Sequence, residues 1–173
     1  MSLLPIRIYG DPVLRQVADP VGEVTGRVRQ LAADMCAAMY AAPGRGLAAP
    51  QVGEPLRMFV MDCDWKDGAD RAPVVVIDPE IFEASEEVKS YDEGCLSLPG
   101  LVTQITRPAQ VRMRWTDLDG TRHDRWFDGF AAVCVQHEYD HLDGMLTVDR
   151  IGAARLAELG PALQALAENG ATV

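Results

Sequence analysis

His137-Glu138-Tyr139-Asp140-His141 decides how the rest of the chain is read. On an α-helix, residues i and i+4 stack on one face, so both imidazoles can reach a single divalent metal with Glu138 beside it. In outline this is a hydrolytic metal site. Three ligands and an open position lower the pKa of a bound water to roughly 7, and an adjacent carboxylate can take and return the proton. The helix supplies only two ligands, and the source of the third is open. No histidine follows His141, so a downstream third ligand would have to be Glu158 or Glu168. The alternative is an accidental pair, one ring capping a core and the other in water. Against it, Phe130, Val133, Cys134, His137 and His141 share a stripe at helical spacing, which places both histidines on the buried side. Burying an imidazolium without a partner is costly, and a metal removes that cost.

With 173 residues the chain is long enough for one ordinary core, and a single domain over 1–173 is expected. The formal charge of −10 and pI near 4.7 argue against a general nucleic-acid or membrane-surface binder. The start Met1-Ser2-Leu3-Leu4-Pro5-Ile6-Arg7 has no basic segment followed by an apolar run, and no later apolar stretch approaches about 18 residues. A cytoplasmic location follows as an expectation. Cys36, Cys63, Cys95 and Cys134 include no C-x-x-C pair, so neither a zinc knuckle nor a secreted disulfide frame is expected. Cys36 and Cys134 fall on apolar helix faces and read as small buried hydrophobes.

In chain order, Gly10-Asp11-Pro12-Val13-Leu14-Arg15 reads as a turn into a short helix, with Asp11 at the N-cap and Pro12 at the first position. Val28, Leu31, Ala32, Met35 and Met39 mark an amphipathic helix from about Thr25 to Ala42, ended by Pro43-Gly44. Gly44-Arg45-Gly46-Leu47-Ala48-Ala49-Pro50-Gln51-Val52-Gly53 is either a surface loop or a place where small residues let backbone approach a ligand, with Gln51 as a donor. Strands are expected at Leu56 to Met61, at Pro73 to Ile77 and through Val88. Ala109 to Thr116 and Arg122 to Phe127 form a hairpin around Asp119-Gly120, with His123 facing solvent. Asp128-Gly129 opens the histidine helix and Asp143-Gly144 closes it. A C-terminal helix carrying Leu156, Leu159, Leu163 and Leu166 is expected to break or bend at Gly160-Pro161. Cys95, between Gly94 and Pro99-Gly100, sits in a constrained segment where a thiolate could point into a site; a structural buried cysteine is the alternative.

Three segments stand together in order: Gly44-Arg45-Gly46-Leu47-Ala48-Ala49-Pro50-Gln51, Glu93-Gly94-Cys95-Leu96-Ser97 and Gln136-His137-Glu138-Tyr139-Asp140-His141-Leu142. This combination resembles the peptide deformylase family, which carries G-x-G-L-A-A-x-Q, E-G-C-L-S and Q-H-E-x-D-H. The resemblance implies an α+β fold of mostly antiparallel sheets packed around a central metal-binding helix, with a C-terminal helix. It also implies that Cys95, His137 and His141 bind one metal, ferrous iron, with zinc, nickel or cobalt as substitutes. The implied reaction removes the formyl group from N-formylmethionyl peptides as formate. Glu138 would shuttle the proton, while Gln51 and the backbone N–H of Leu96 would hold the oxyanion. Substrate would lie extended near Gly46, its methionine in a pocket formed by Tyr91, Phe130, Val133 and His137.

Two departures are visible. Val102 stands where some members place an arginine, and Arg45 occupies a variable position near the pocket. The C-terminal segment has Arg155 but also Glu158 and Glu168, so ribosome docking through a basic helix is not expected. A zincin-like protease with a downstream ligand and a catalytically idle binding module are the competing readings.

Overall fold

A computed structural model describes residues 3–169; Met1, Ser2 and residues 170–173 lie outside the described residues. Its helices are α1 (Gly26–Ala41), α2 (Gly129–Leu142) and α3 (Ala153–Asn169). Its strands are β1 (Gly46–Ala48), β2 (Met58–Met61), β3 (Val74–Ala84), β4 (Val88–Gly94), β5 (Val102–Pro108), β6 (Val111–Thr116) and β7 (Arg122–Phe127). One sheet has the order β1-β2-β3-β6-β7, a separate ribbon pairs β4 with β5, and every ladder between these strands is antiparallel. Among the described residues no helix is long and apolar enough to cross a membrane.

The apolar run Met58-Phe59-Val60-Met61 explains the layering. Alternate side chains of a strand point to opposite faces. Met58 and Val60 therefore enter a core with Val28, Leu31 and Met35 of α1, while Phe59 and Met61 enter a second core with Cys134, Val135 and Leu142 of α2. β2 is covered on both faces, and α2 lies between the main sheet and the ribbon. A third core joins Leu98, in the loop after β4, to Leu14, Leu146 and the α3 residues Leu159 and Leu163. This pins the segment that carries Cys95, which also holds Tyr9 N–H through the carbonyl of Ser97 at 2.8 Å.

Local rules account for several boundaries. Thr25 caps α1 by accepting from Val28 N–H, and Asp11 Oδ1 accepts from Val13 N–H at 3.0 Å ahead of the short 3-10 helix Pro12–Arg15. Gly144, with φ of 71°, ends α2. The hairpin of β6 and β7 buries Val111, Met113 and Trp115, while Arg112 and Arg114 pair outward with Glu83, Asp124 and Glu80.

Three expectations change, and one open alternative is decided. The strand expected from Pro73 to Ile77 continues to Ala84, because a bulge after Ile77 absorbs Asp78, whose φ is +47°, and Pro79. Asp78 is held there by accepting hydrogen bonds from Val21 and Gly22 N–H at 2.8 and 2.9 Å. α3 runs through Pro161 without the expected interruption, its packing through Leu159 and Leu163 outweighing the lost backbone bond. His123 is only half exposed: its ring stacks on Trp115 at 4.8 Å and hydrogen-bonds Asp117 at 2.6 Å. The glycine-rich stretch after α1 is no surface loop, since Leu47, Ala48 and Ala49 are fully buried and Gln51 is 1% exposed.

Candidate metal centre

α2 projects both histidines from one face, and the loop after β4 brings Cys95 onto them. The Cys95 Sγ lies 3.4 Å from His141 Nε2, which lies 3.3 Å from His137 Nε2. All three donor atoms fall within 4.8 Å of one another. A tetrahedral ion with bonds of about 2.05 Å to nitrogen and about 2.3 Å to sulfur sets its donors about 3.3 Å (N–N) and about 3.6 Å (S–N) apart. The two contacts made by His141 fit that template. The downstream candidates do not join it: Glu158 pairs with Arg155 and Glu168 accepts from Gln164, both on α3.

Second neighbours set the protonation of the donors. Glu93 Oε2 lies 2.9 Å from His137 Nδ1. A carboxylate only accepts, so Nδ1 carries the hydrogen and the Nε2 lone pair faces Cys95 and His141. Burial opposes charge on Glu93, yet the hydrogen bonds from His137 and Arg107 outweigh it and hold the carboxyl below its usual range. Burial also opposes charge on His137, but the Cys95 sulfur and Glu93 raise its pKa well above the usual value; burial and the adjacent His137 drive His141 the other way.

Glu93 belongs to a buried network that sequence reasoning did not assign. Arg107, 2% exposed, donates to Glu93 at 2.6 and 3.0 Å and to Asp140 at 2.9 Å, and Asp140 accepts two further bonds from Arg150 at 2.5 Å. Two carboxylates and two guanidiniums balance in this network. A signal for Glu93 was present: residues two apart in an extended segment share a side, so a carboxylate two positions before a ligand cysteine is placed to serve a ligand histidine. Arg107 gave none, since an arginine in a strand reads as solvent-facing. Glu93→Gln is expected to weaken metal affinity about 10- to 100-fold, measured by competition with a chromophoric chelator, with the fold retained by circular dichroism. Unchanged affinity would remove Glu93 from this supporting role.

Glu138 is buried beside the cluster and its Oε2 has no hydrogen-bond partner. Burial, against the attraction of His137, pushes its carboxyl up to about 7, a value suited to taking and returning a proton near neutrality. Two glycines make room for the neighbours. A Cβ at Gly46 would sit 2.3 Å from Glu138 Oε1, and one at Gly44 2.8 Å from Leu96 Cδ1. Gln51 is oriented by Ala48 N–H, which donates to its Oε1 at 2.9 Å, and its Nε2 reaches Ser97 Oγ at 3.1 Å and Cys95 Sγ at 3.7 Å.

A cavity of about 640 Å³ opens onto this constellation. Gly46, Gln51, Cys95, Leu96, His137 and Glu138 line it, together with Phe130 and Val133. His141, 1% exposed, stands behind it. Tyr91, expected in the methionine pocket, is not among the lining residues; it sits on β4 opposite Ile105. Phe130 departs from the buried stripe, being 48% exposed at the first turn of α2, where Arg45 stacks on its ring at 5.0 Å. Arg45 is itself held by Asp67 at 2.6 and 3.0 Å. Val102, 55% exposed, lines the cavity as well.

Comparison with known proteins agrees with this geometry. The family described as Polypeptide deformylase matches residues 3–156. A peptide deformylase of Rhodopseudomonas palustris is 46% identical over 171 residues, covering 98% of each chain, and one of Mesorhizobium japonicum is 49% identical over 87% of this chain and 85% of its own. The crystal structure of the peptide deformylase from Thermotoga maritima superposes with a TM-score of 0.82 at 40% identity, covering 88% of this chain and 99% of that one. With matching sequence and matching fold, the chain belongs to the peptide deformylase family, metallohydrolases that remove the N-formyl group from nascent peptides.

Proposed function

We propose that this chain, as a single catalytic domain over 1–173 in the cytoplasm, removes the formyl group from N-formylmethionyl termini with one ferrous ion held by Cys95, His137 and His141. The observation that carries the reading is the convergence of a mid-chain sulfur and two imidazole nitrogens beside a buried carboxylate with an unpartnered oxygen. A divalent ion bound there, Fe2+ in this reading and Zn2+, Ni2+ or Co2+ as substitutes, supplies the Lewis acidity that makes water nucleophilic near neutral pH.

The chain's own groups do the rest. Glu138 takes the proton of the attacking water and delivers it to the amide nitrogen as the C–N bond breaks. Gln51 Nε2 and Leu96 N–H donate to the oxygen that gains charge in the tetrahedral transition state. The peptide lies extended along Gly46, and the methionine side chain occupies the space beside Phe130, Val133 and His137. We assign α3 no ribosome-docking role, because Arg155 is paired with Glu158 and no basic run accompanies it.

Anaerobically prepared, Fe2+-loaded protein is expected to release formate from formyl-Met-Ala-Ser in step with new amino termini; absence of turnover would leave only a metal-binding module. Cys95→Ala should drop from one metal per chain to well under half after dialysis, read by elemental analysis, and full occupancy would displace Cys95 from the ligand set. Gly46→Ala should lower kcat about a hundredfold with metal still bound, since the added methyl displaces Glu138 by an ångström or more. Wild-type kcat in that variant would mean that the Glu138 position is not critical.

A further inference from the structure

The cavity wall around Arg45 is tied down from outside by the segment that follows β2. Asp62 N–H donates to the carbonyl of Arg45 at 2.8 Å, and the indole Nε1 of Trp65 donates to the carbonyl of Gly44 at 3.0 Å. The Arg45 side chain closes the clasp. Its guanidinium donates to the Cys63 carbonyl and, through both terminal nitrogens, to the Asp67 carboxylate at 2.6 and 3.0 Å. Trp65 is seated in turn by an edge-on contact with Tyr40, the ring centroids 5.3 Å apart. A planar guanidinium gripped by a carbonyl and by a two-pronged carboxylate has little freedom left. Its carbon lies over the Phe130 ring, 5.0 Å from the centroid, and both residues line the cavity. An ion pair as exposed as Arg45 with Asp67 adds little stability. What it supplies is position.

We propose that Arg45, clasped by Asp67, is a specificity-determining residue: it holds the Phe130 ring as a fixed wall of the space that receives the first side chain of the formyl peptide, and so favours the slender chain of methionine over an aromatic one. The inference rests on the formyl-hydrolase reading above. Phe130 stands on the first turn of α2 and is 48% exposed, so its ring can turn unless something outside the helix restrains it. The cation over its face is that restraint. Flanked by Gly44 and Gly46, Arg45 carries the only side chain that this stretch of wall presents. Neither glycine has room for one, since a Cβ at Gly44 would meet Leu96 and one at Gly46 would meet Glu138. A thioether chain is flexible and makes favourable contacts with an aromatic ring. A benzyl group is wider and needs the wall to yield. In an apolar pocket of fixed shape, a misfit of one methylene is worth about 10- to 200-fold in kcat/KM. Freeing Phe130 gives that discrimination up.

The test compares kcat/KM for formyl-Met-Ala-Ser and formyl-Phe-Ala-Ser on Fe2+-loaded wild type, Arg45→Ala, Arg45→Lys and Asp67→Ala. The methionine-to-phenylalanine ratio is expected to fall about tenfold or more in Arg45→Ala, chiefly through a lower KM for the phenylalanine peptide. Arg45→Lys keeps the charge without the planar fork and should fall nearly as far. Asp67→Ala, whose side chain is 66% exposed and whose loss spares the fold, should fall about threefold or more, because Arg45 then keeps only the Cys63 carbonyl. A merely loosened fold lowers both substrates together, and the ratio is insensitive to that. A ratio within about twofold of wild type in Arg45→Ala, or a parallel loss on both peptides, overturns the proposal and leaves the formyl-hydrolase reading in place. A wild type that releases formate from neither peptide overturns that reading and takes this one with it.

Discussion

Glu138→Gln should lose about a thousand- to ten-thousand-fold in kcat for formate release while keeping its metal. That corresponds to about 4 to 5.5 kcal/mol of transition-state stabilisation. The amide is nearly isosteric with the carboxylate, so packing against Gly46 persists, but it can neither accept the water proton nor return it to the departing nitrogen. Metal retention follows from geometry, because the converging donors are Cys95, His137 and His141. Single-turnover and steady-state formate release, with metal content measured on the same sample, decide the matter. A loss of less than tenfold with full metal would take Glu138 out of proton transfer and reopen the search for a base.

Arg107→Ala should cost about 3 to 5 kcal/mol of stability, seen as a drop in Tm of roughly 6 to 20 °C for a chain of this size. Arg107 is enclosed between Glu93 and Asp140, and removing it leaves buried carboxylates facing each other with only Arg150 and His137 to offset them. A buried pair adds little over a hydrophobic replacement, but a half-removed pair is expensive. The substitution should also loosen metal binding through Glu93 and His137. Thermal unfolding by circular dichroism checks the first effect and chelator competition the second. A Tm within 2 °C of the wild type would mean that the network is open to water rather than buried.

Much of the site could be read from the chain itself because its parts are local. Two imidazoles four residues apart on a helix share a face whatever surrounds them, and Asp128-Gly129 and Asp143-Gly144 mark that helix before any packing is known. The β6–β7 hairpin was equally plain from alternation and Asp119-Gly120. Harder cases were those in which short-range signals and long-range packing disagree. Asp78-Pro79 reads as the end of a strand, yet a bulge and two captured amides carry β3 onward. Gly160-Pro161 reads as a break, yet leucines on either side seat α3 against the third core.

The sequence by itself determined the histidine helix and the placing of Glu138 beside both imidazoles, since these follow from residue identity and helical period. The tertiary structure places Cys95, which the family resemblance had implied, beside both histidines rather than Glu158 or Glu168; it alone decided that Glu93 hydrogen-bonds His137 within a network with Arg107 and Asp140, and that Tyr91 stays outside the cavity while Phe130 stands exposed at its wall. The reason is distance along the chain. Cys95 and His141 lie 46 residues apart, and what brings them together is the packing of Leu98 against residues from both ends of the molecule, which no local pattern records.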